Sequence, residues 1–509
     1  MFNRVLSTAI VGVEAVSVYV EADVSDGLPT FTMVGYLTSQ VKEAQDRVRT
    51  ALKNEGIALP PKRITINISP ADIRKDGSRF DLPIAMAILS SDGILPPDRL
   101  PGIMMLGELS LNGEVNPVTG VLVTVMKARE NGCRMCIVPL ANESEGRAVG
   151  GISVIGVRNL TEAIRLIRDG VIPEHPSASA PLPQLNGYTE DFSDIHGQEA
   201  VKRAAMIAVA GFHNLLLIGP PGSGKTMLAR RIPTILPELT MDESLEITKI
   251  YSIAGLLPPD SPIMGTRPFR SPHHSLSPQA LAGGGLIPKP GEITLAHRGI
   301  LFLDEMPEFS RTALEILRQP LEDREITIAR SSGTYRFPAN FLLLAAMNPC
   351  PCGYYPDMNR CTCLPADISR YMNKISQPLL DRIDLCVEAP AVSYEELTSP
   401  GSRELTSAAI RKEVKRVHEI ERERFKGSGI RFNSEIPANR IPEFCEMTAD
   451  AEELLKKAFR KMKLSARGYH RIVKVARTVA DLDGTGKIGG KHVSEAIFYR
   501  AIDRKYWRQ

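Results

Sequence analysis

Two groupings of side chains in this 509-residue chain are spaced for chemistry. In the first, LLLIGPPGSGKT (Leu215 to Thr226), an apolar run leads into G-x-x-x-x-G-K-T, and a helical pattern follows from Met227. Gly219, Pro220, Pro221, Gly222, Ser223 and Gly224 form a loop whose glycines let backbone N–H groups turn in around phosphate oxygens at a helix N-terminus. Lys225 would reach the β- and γ-phosphates and Thr226 would ligate Mg²⁺, which makes this a Walker A loop in its required strand–loop–helix context. Some 80 residues later GILFLDE (Gly299 to Glu305) ends an apolar strand in two carboxylates. Asp304 is the expected Mg²⁺ partner, and Glu305 the expected base toward an attacking water. A third apolar strand, FLLLAAMN, ends in Asn348, where a water-positioning side chain is wanted. In PLLDRIDL, Arg382 has two readings: a surface ion pair with Asp381 or Asp384, or an arginine finger into a neighbouring subunit's nucleotide.

The second grouping is NPCPCGYYPDMNRCTC, Asn348 to Cys363, with four of the eight cysteines as two Cys-x-Cys pairs. On extended chain, residues i and i+2 share a face. Cys350, Cys352, Cys361 and Cys363 can therefore converge from the two arms of a loop containing Gly353 and Pro356. A closed, structural Zn²⁺ site of four thiolates is expected, with free thiols and redox-active thiols as the alternatives. His273–His274 suggests metal as well, but no further ligands stand at metal-site spacing, so a structural or pore-loop role is expected. Cys133 and Cys136, spaced C-x-x-C on a buried strand, invite a zinc or redox reading, but two half-buried thiols are expected.

These groups need scaffolds. At this length two or three cores are expected, and 43% hydrophobic with 24% charged residues excludes a disordered or collagen-like chain. The net charge of +3 neither demands nor excludes nucleic acid. The N-terminal apolar run is broken by Glu14, Glu21 and Asp23, and its alternation from Val16 to Val20 suits a strand. No run reaches 18 apolar residues, so no membrane span is expected, and a cytoplasmic location is the working assumption. Residues 1–172 mix strand patterns (Ile64 to Ser69, Arg134 to Pro139) with a helical one (Leu82 to Ser91). A Pro/Ser/Ala-rich linker spans 173–190, a second α/β region 191–395, and a helical region 396–509. Ala449 to Leu482 reads as one amphipathic run, and nine basic residues with no acid lie between Lys456 and Arg477.

In chain order, DFSDIHGQ, GPPGSGKT, FRSPHHS, PGEITLAHRGILFLDE, AAMNPCPCG, LLDRIDL and LSARGYHRIVKVARTVADL resemble the magnesium-chelatase-like AAA+ ATPases of the competence-protein ComM (YifB) group. The resemblance spans nearly the whole chain. It implies an α/β multidomain protein: a ribosomal-S5-like (Lon-peptidase-like) N-terminal domain, a P-loop AAA+ core and a C-terminal helical lid. It makes Asn348 the sensor-1 residue, Arg382 the finger and Arg467 the sensor-2 arginine, with Arg471 as the alternative. Phe192, Ile195 and Gln198 would border the adenine. The implied cofactors are ATP and Mg²⁺. The implied assembly is a homo-oligomeric ring, a hexamer, that migrates branches in single-stranded or branched DNA during recombination of incoming DNA in natural transformation. Arg330 and Tyr335, on a hairpin before Asn348, would contact DNA through phosphate and base stacking.

In the N-terminal domain, RKDGSRFD and VTGVLV align with the Lon serine–lysine pair at Arg79 and Leu122. Ser78 is one residue out of place, so no peptidase activity is expected. A metal-chelatase motor subunit is the alternative function. The S5-like front domain, and the lack of an integrin-like domain in this sequence, count against it. A Lon-like ATP-dependent protease is disfavoured.

Overall fold

The computed structural model describes residues 2–173, 189–258, 261–330, 333–394 and 405–507. Most of the expected linker, and the start of the expected lid up to residue 404, lie outside these residues.

The N-terminal unit is built on one seven-stranded sheet, ordered β3-β4-β2-β1-β5-β8-β9. Its strands are β1 (Phe2–Val11), β2 (Glu14–Ser25), β3 (Thr30–Val34), β4 (Arg63–Ser69), β5 (Ile103–Met105), β8 (Met135–Pro139) and β9 (Ser153–Val157), and a small hairpin, β6 (Glu108–Leu109) with β7 (Val115–Asn116), stands apart. The Val16–Val20 alternation falls inside β2, paired over ten residues with β1 around the Gly12 turn. The helix Asp81–Ser91 has all eleven residues buried, as its apolar composition on every face requires. Asp81 is bound there by the Arg47 guanidinium at 2.7 and 3.0 Å.

The second unit is a five-stranded parallel sheet, ordered β11-β14-β17-β10-β18. It comprises β10 (Leu215–Ile218), β11 (Phe269–Arg270), β14 (Ile300–Leu303), β17 (Leu342–Met347) and β18 (Leu385–Glu388); two hairpins, β12 (Gly283–Gly284) with β13 (Lys289–Pro290) and β15 (Glu325–Arg330) with β16 (Gly333–Pro338), lie outside it. LLLI, ILFL and LLLAAM are buried at every position, the pattern of strands covered on both faces. The register Leu215↔Leu344 and Leu215↔Leu385 brings the C-terminal ends of β10, β17 and β18 level.

The C-terminal region is helical: Ser407–Arg424, Ala449–Lys461, Ala466–Leu482 and Gly490–Trp507. The amphipathic run Ala449 to Leu482 is carried by two helices with a break at residues 462–465. Only part of its basic composition faces solvent: Lys456, Lys457, Arg460, Lys461, Lys463 and Arg467 are exposed, whereas Arg477 is buried. Arg477 belongs to a polar knot inside the lid. Asp481 accepts from Arg424 at 2.5 and 2.7 Å, from Arg477 at 2.9 Å and from Asn433 at 2.8 Å. Burial raises the Glu421 carboxyl well above its ordinary value beside this knot. No described helix is long and apolar enough to cross a membrane.

The N-terminal unit docks on the ATPase core through Gly120 N–H to the Ser252 carbonyl (3.0 Å) and Ser252 Oγ to Glu145 (2.5 Å). Removing one member of a buried ion cluster leaves its partners uncompensated, so Asp481→Ala should cost about 3–5 kcal/mol of lid stability. Urea unfolding followed by circular dichroism checks this, with an exposed-pair control, Glu453→Ala, nearly neutral.

Candidate active site

Parallel strands place every loop that follows a strand at the same edge of the sheet. β10 delivers the Walker A loop there, β14 delivers Asp304 and Glu305, β17 delivers Asn348, and β18 ends in Glu388 with Ala389 after it. Gly219 lies so close to this last strand that a Cβ on it would stand 2.1 Å from the Ala389 carbonyl oxygen. Only glycine fits. Lys225 opens the helix Lys225–Arg231, and its Nζ donates to the carbonyls of Gly219 and Pro220 at 2.8 Å each and to Asn348 Oδ1 at 3.3 Å. Burial lowers its pKa, and the Asp304 and Glu305 carboxylates oppose that shift. Thr226 Oγ1 donates to Asp304 Oδ2 at 2.7 Å. A hydroxyl and a carboxylate side by side are the hard oxygen ligands Mg²⁺ takes, and the loop around Lys225 suits a polyphosphate, so the residues fit both groups.

Adjacent residues on a strand point to opposite faces, so two neighbouring acids reach one site only where the strand has already ended. β14 stops at Leu303, and Glu305 has φ +50° and ψ 44°, left-handed backbone that is strained in a non-glycine residue. The carboxylate of Glu305 then lies 3.6 Å from His274 Nδ1, and the His273 ring packs on His274 at 4.1 Å. His274 is thus a site residue for which the sequence suggested only a structural or pore-loop role. Among the described residues, neither histidine belongs to a cluster able to hold a metal. Gln198 joins the loop, donating to the carbonyls of Ser223 (2.7 Å) and Pro390 (3.0 Å), whereas Phe192 and Ile195 are buried in the core.

Arg382 precedes β18 and lies at the opposite edge. Four strand residues at about 3.3 Å each separate the edges by at least ~13 Å. Arg382 donates to the carbonyls of Arg318 (3.0 Å) and Pro378 (2.7 Å) and to Glu322. The alternative partners are taken: Asp381 by Arg500, Asp384 by Arg471 and the Asn214 backbone. Arg467 is at this edge as well, 3.3 Å from the same Glu322 and 60% exposed, whereas Arg471 is held against the Ile383 carbonyl. A cavity of about 610 Å³ between core and lid is lined by Arg324, Arg382, Arg467, Arg471 and Lys474 with Glu322 and Asp384.

Tyr335 corrects an expectation. Hairpin alternation turns it inward, 8% exposed, so it offers no stacking face, while Arg330 stays exposed near the tip. In the N-terminal unit Leu122 is fully buried and Ser78 is bound to Glu108. Cys136 is buried and Cys133 half-buried.

The four cysteines behind Asn348 converge: their sulfurs all lie within 4.8 Å of one another, with separations of 3.3, 3.5 and 3.8 Å among Cys350, Cys352 and Cys361. A tetrahedron with Zn–S bonds of 2.3 Å has edges of about 3.8 Å. Backbone N–H groups of Gly353 and Tyr355 donate to Cys350 Sγ at 3.2 and 3.4 Å, and that of Cys352 to Cys363 Sγ at 3.4 Å. Burial opposes ionisation of Cys352, but hydrogen bonds from Tyr354, Cys350, Thr362 and Cys363 outweigh it and hold the thiol down at about 6.

Fold and site define an AAA+ ATPase of the magnesium-chelatase type. Residues 191–397 match the family described as magnesium chelatase, subunit ChlI; residues 20–142 match subunit ChlI of Mg-chelatase, and 404–500 its C-terminal part. The chain is 43% identical to competence protein ComM of Haemophilus influenzae, across 98% of this chain and 97% of that protein, and 41% identical to the uncharacterized protein YifB of Escherichia coli, across 97% and 96%. It belongs to the ComM/YifB family of magnesium-chelatase-like AAA+ ATPases. A shorter likeness, 29% over 145 residues, is to Lon protease 2 of Bacillus subtilis, 28% of this chain and 25% of that protein.

Replacing the acid expected to act on the attacking water while keeping its shape should separate binding from hydrolysis. Glu305→Gln is expected to bind a fluorescent ATP analogue as wild type does and to hydrolyse ATP at least about 100-fold more slowly, as steady-state phosphate release will read.

Proposed function

We propose that this chain is the subunit of a homo-oligomeric ring, a hexamer, that hydrolyses ATP to move along single-stranded or branched DNA, acting as a branch-migration motor. One observation carries the ring: the Walker A side and the arginine side of the ATPase stand on opposite edges of one sheet, so each completes a neighbour's site. Within a site, Lys225 holds the β- and γ-phosphates, and Thr226 with Asp304 holds Mg²⁺, which when bound neutralises phosphate charge. Glu305, steadied by His274, takes a proton from the attacking water. Asn348 positions that water and senses the γ-phosphate. Arg382 of the adjacent subunit, with Arg467 beside it, stabilises the transferring phosphoryl charge.

DNA is supported by the likeness to a protein named for competence, by the exposed Arg330 on its hairpin and by the six exposed lysines and arginines between Lys456 and Arg467. A metal-chelatase motor is the second reading, favoured by the family descriptions matched along the chain. The four-thiolate cluster takes a structural Zn²⁺: the sulfur spacing and the N–H···S bonds fit a closed site with no open position for catalysis.

The test is ATPase rate with and without single-stranded and forked DNA, with Glu305→Gln as the inactive control. Stimulation by DNA that falls in Arg330→Ala and weakens as salt rises is expected. A rate and a binding assay both blind to DNA would reject the DNA motor in favour of the chelatase reading.

A further inference from the structure

The geometry points to the four-thiolate ion as a brace for the Walker A loop of its own subunit, an inference that rests on the Zn²⁺ reading above. Between β17, which ends at Met347, and the helix beginning at Pro365, the chain forms no helix or strand. The cysteine cluster ties the two arms of this loop together, beside backbone turns such as Cys361 N–H to the Asp357 carbonyl (2.8 Å), and the loop touches the nucleotide machinery at two points. Its first residue, Asn348, accepts from Lys225 at 3.3 Å. Further on, Gly353 is packed on Pro221: a Cβ at Gly353 would stand 2.4 Å from Pro221 Cδ and 2.8 Å from Cγ.

Gly353 is also fixed to the cluster. It follows the ligand Cys352, shares its N–H between the Cys350 carbonyl at 3.0 Å and Cys350 Sγ at 3.2 Å, and has φ +87°, a left-handed conformation that glycine adopts without strain. The residue that presses on the phosphate loop is therefore next to one ligand and hydrogen-bonded to another. Pro221 has no N–H with which to anchor itself. Within the loop, the backbone is tied by Ser223 N–H to the Pro220 carbonyl at 3.3 Å and by Lys225 Nζ, so an outside buttress bears on its shape.

The far side of the cysteine loop is backed by the last helix. Tyr355 meets the Tyr506 ring edge-on at 6.2 Å, and Tyr506 Oη donates to Glu388 at 2.7 Å, at the end of the strand flanking β10. The ion thus closes a rigid path from the end of β18 to Pro221. With the ion gone, Gly353 loses its fixed position and the phosphate cradle loses one wall. Nucleotide affinity should fall while the sheet is unchanged.

The test measures zinc content by mass spectrometry and the affinity for a fluorescent ATP analogue on the full-length chain, at constant Mg²⁺. The measurements are made before metal stripping with a mercurial and chelator, after it, and after zinc is restored. One zinc per chain, an affinity loss of about tenfold or more on stripping, and recovery with zinc are expected. Cys361→Ser with Cys363→Ser should reproduce the stripped state. Pro221→Ala, which keeps every ligand, should keep its zinc, bind nucleotide more weakly than wild type and show little further loss on stripping. No zinc in the native protein would overturn the metal reading beneath the inference. Stoichiometric zinc with affinity unmoved by stripping, or lost affinity that zinc does not restore, would overturn the brace alone. Pro221→Ala responding to stripping as wild type does would remove Pro221 as its route.

Discussion

The direction of the five parallel strands governs the rest of the molecule. Because β10, β14, β17 and β18 run the same way, the loops after them converge on one edge and the residues before them on the other. Lys225, Thr226, Asp304, Glu305 and Asn348 fall on the first edge; Arg382, Arg467 and Arg471 fall on the second. Asn214 locks the second edge: its N–H reaches Asp384, its side-chain amide donates to the Arg382 carbonyl at 2.8 Å, and its Oδ1 accepts from Leu343. A chain so built holds its phosphate-loop residues and these arginines apart, on opposite edges of one sheet.

The state of the second edge in a lone subunit follows from electrostatics. Arg382 and Arg467 converge on a single acid, Glu322, half of whose side chain is solvent-exposed. Partly exposed ion pairs contribute little stability, about 0–1 kcal/mol. In the proposed ring, exchanging Glu322 for a neighbour's phosphate oxygens would therefore cost little, and two backbone carbonyls already orient the guanidinium. The lid's own charges are different in kind. Half-buried Arg424 and buried Arg477 close on the one buried carboxylate of Asp481 and fix the helices against each other rather than awaiting a ligand.

Much of this was legible because the signals are local. LLLI, ILFL and LLLAAM are continuous apolar runs, each expected as a strand and each leading directly into residues named for the site. The convergence of the four cysteines followed from i, i+2 geometry. What escaped depends on distant chain or on single dihedrals. Nothing in GILFLDE announces the left-handed turn at Glu305, and nothing in LLDRIDL announces that the partner of Arg382 is Glu322, 60 residues away. Tyr335 was misread because the hairpin's alternation fixes which residues are paired, not which face the core covers. His274 at Glu305 and Gly353 on Pro221 arise from loops that meet only in the folded protein.

The central claim is that one subunit's arginine edge completes the next subunit's phosphate edge, and mixing two inactive variants tests it directly. Lys225→Ala lacks the phosphate lysine, and Arg382→Ala should lose about 10³-fold or more in hydrolysis while still binding nucleotide. Co-assembled, Lys225→Ala subunits supply Arg382 to neighbours whose Lys225 is intact, so ATPase activity well above the sum of the two variants is predicted. A mixture that forms mixed oligomers yet hydrolyses no faster than its parts would contradict the account.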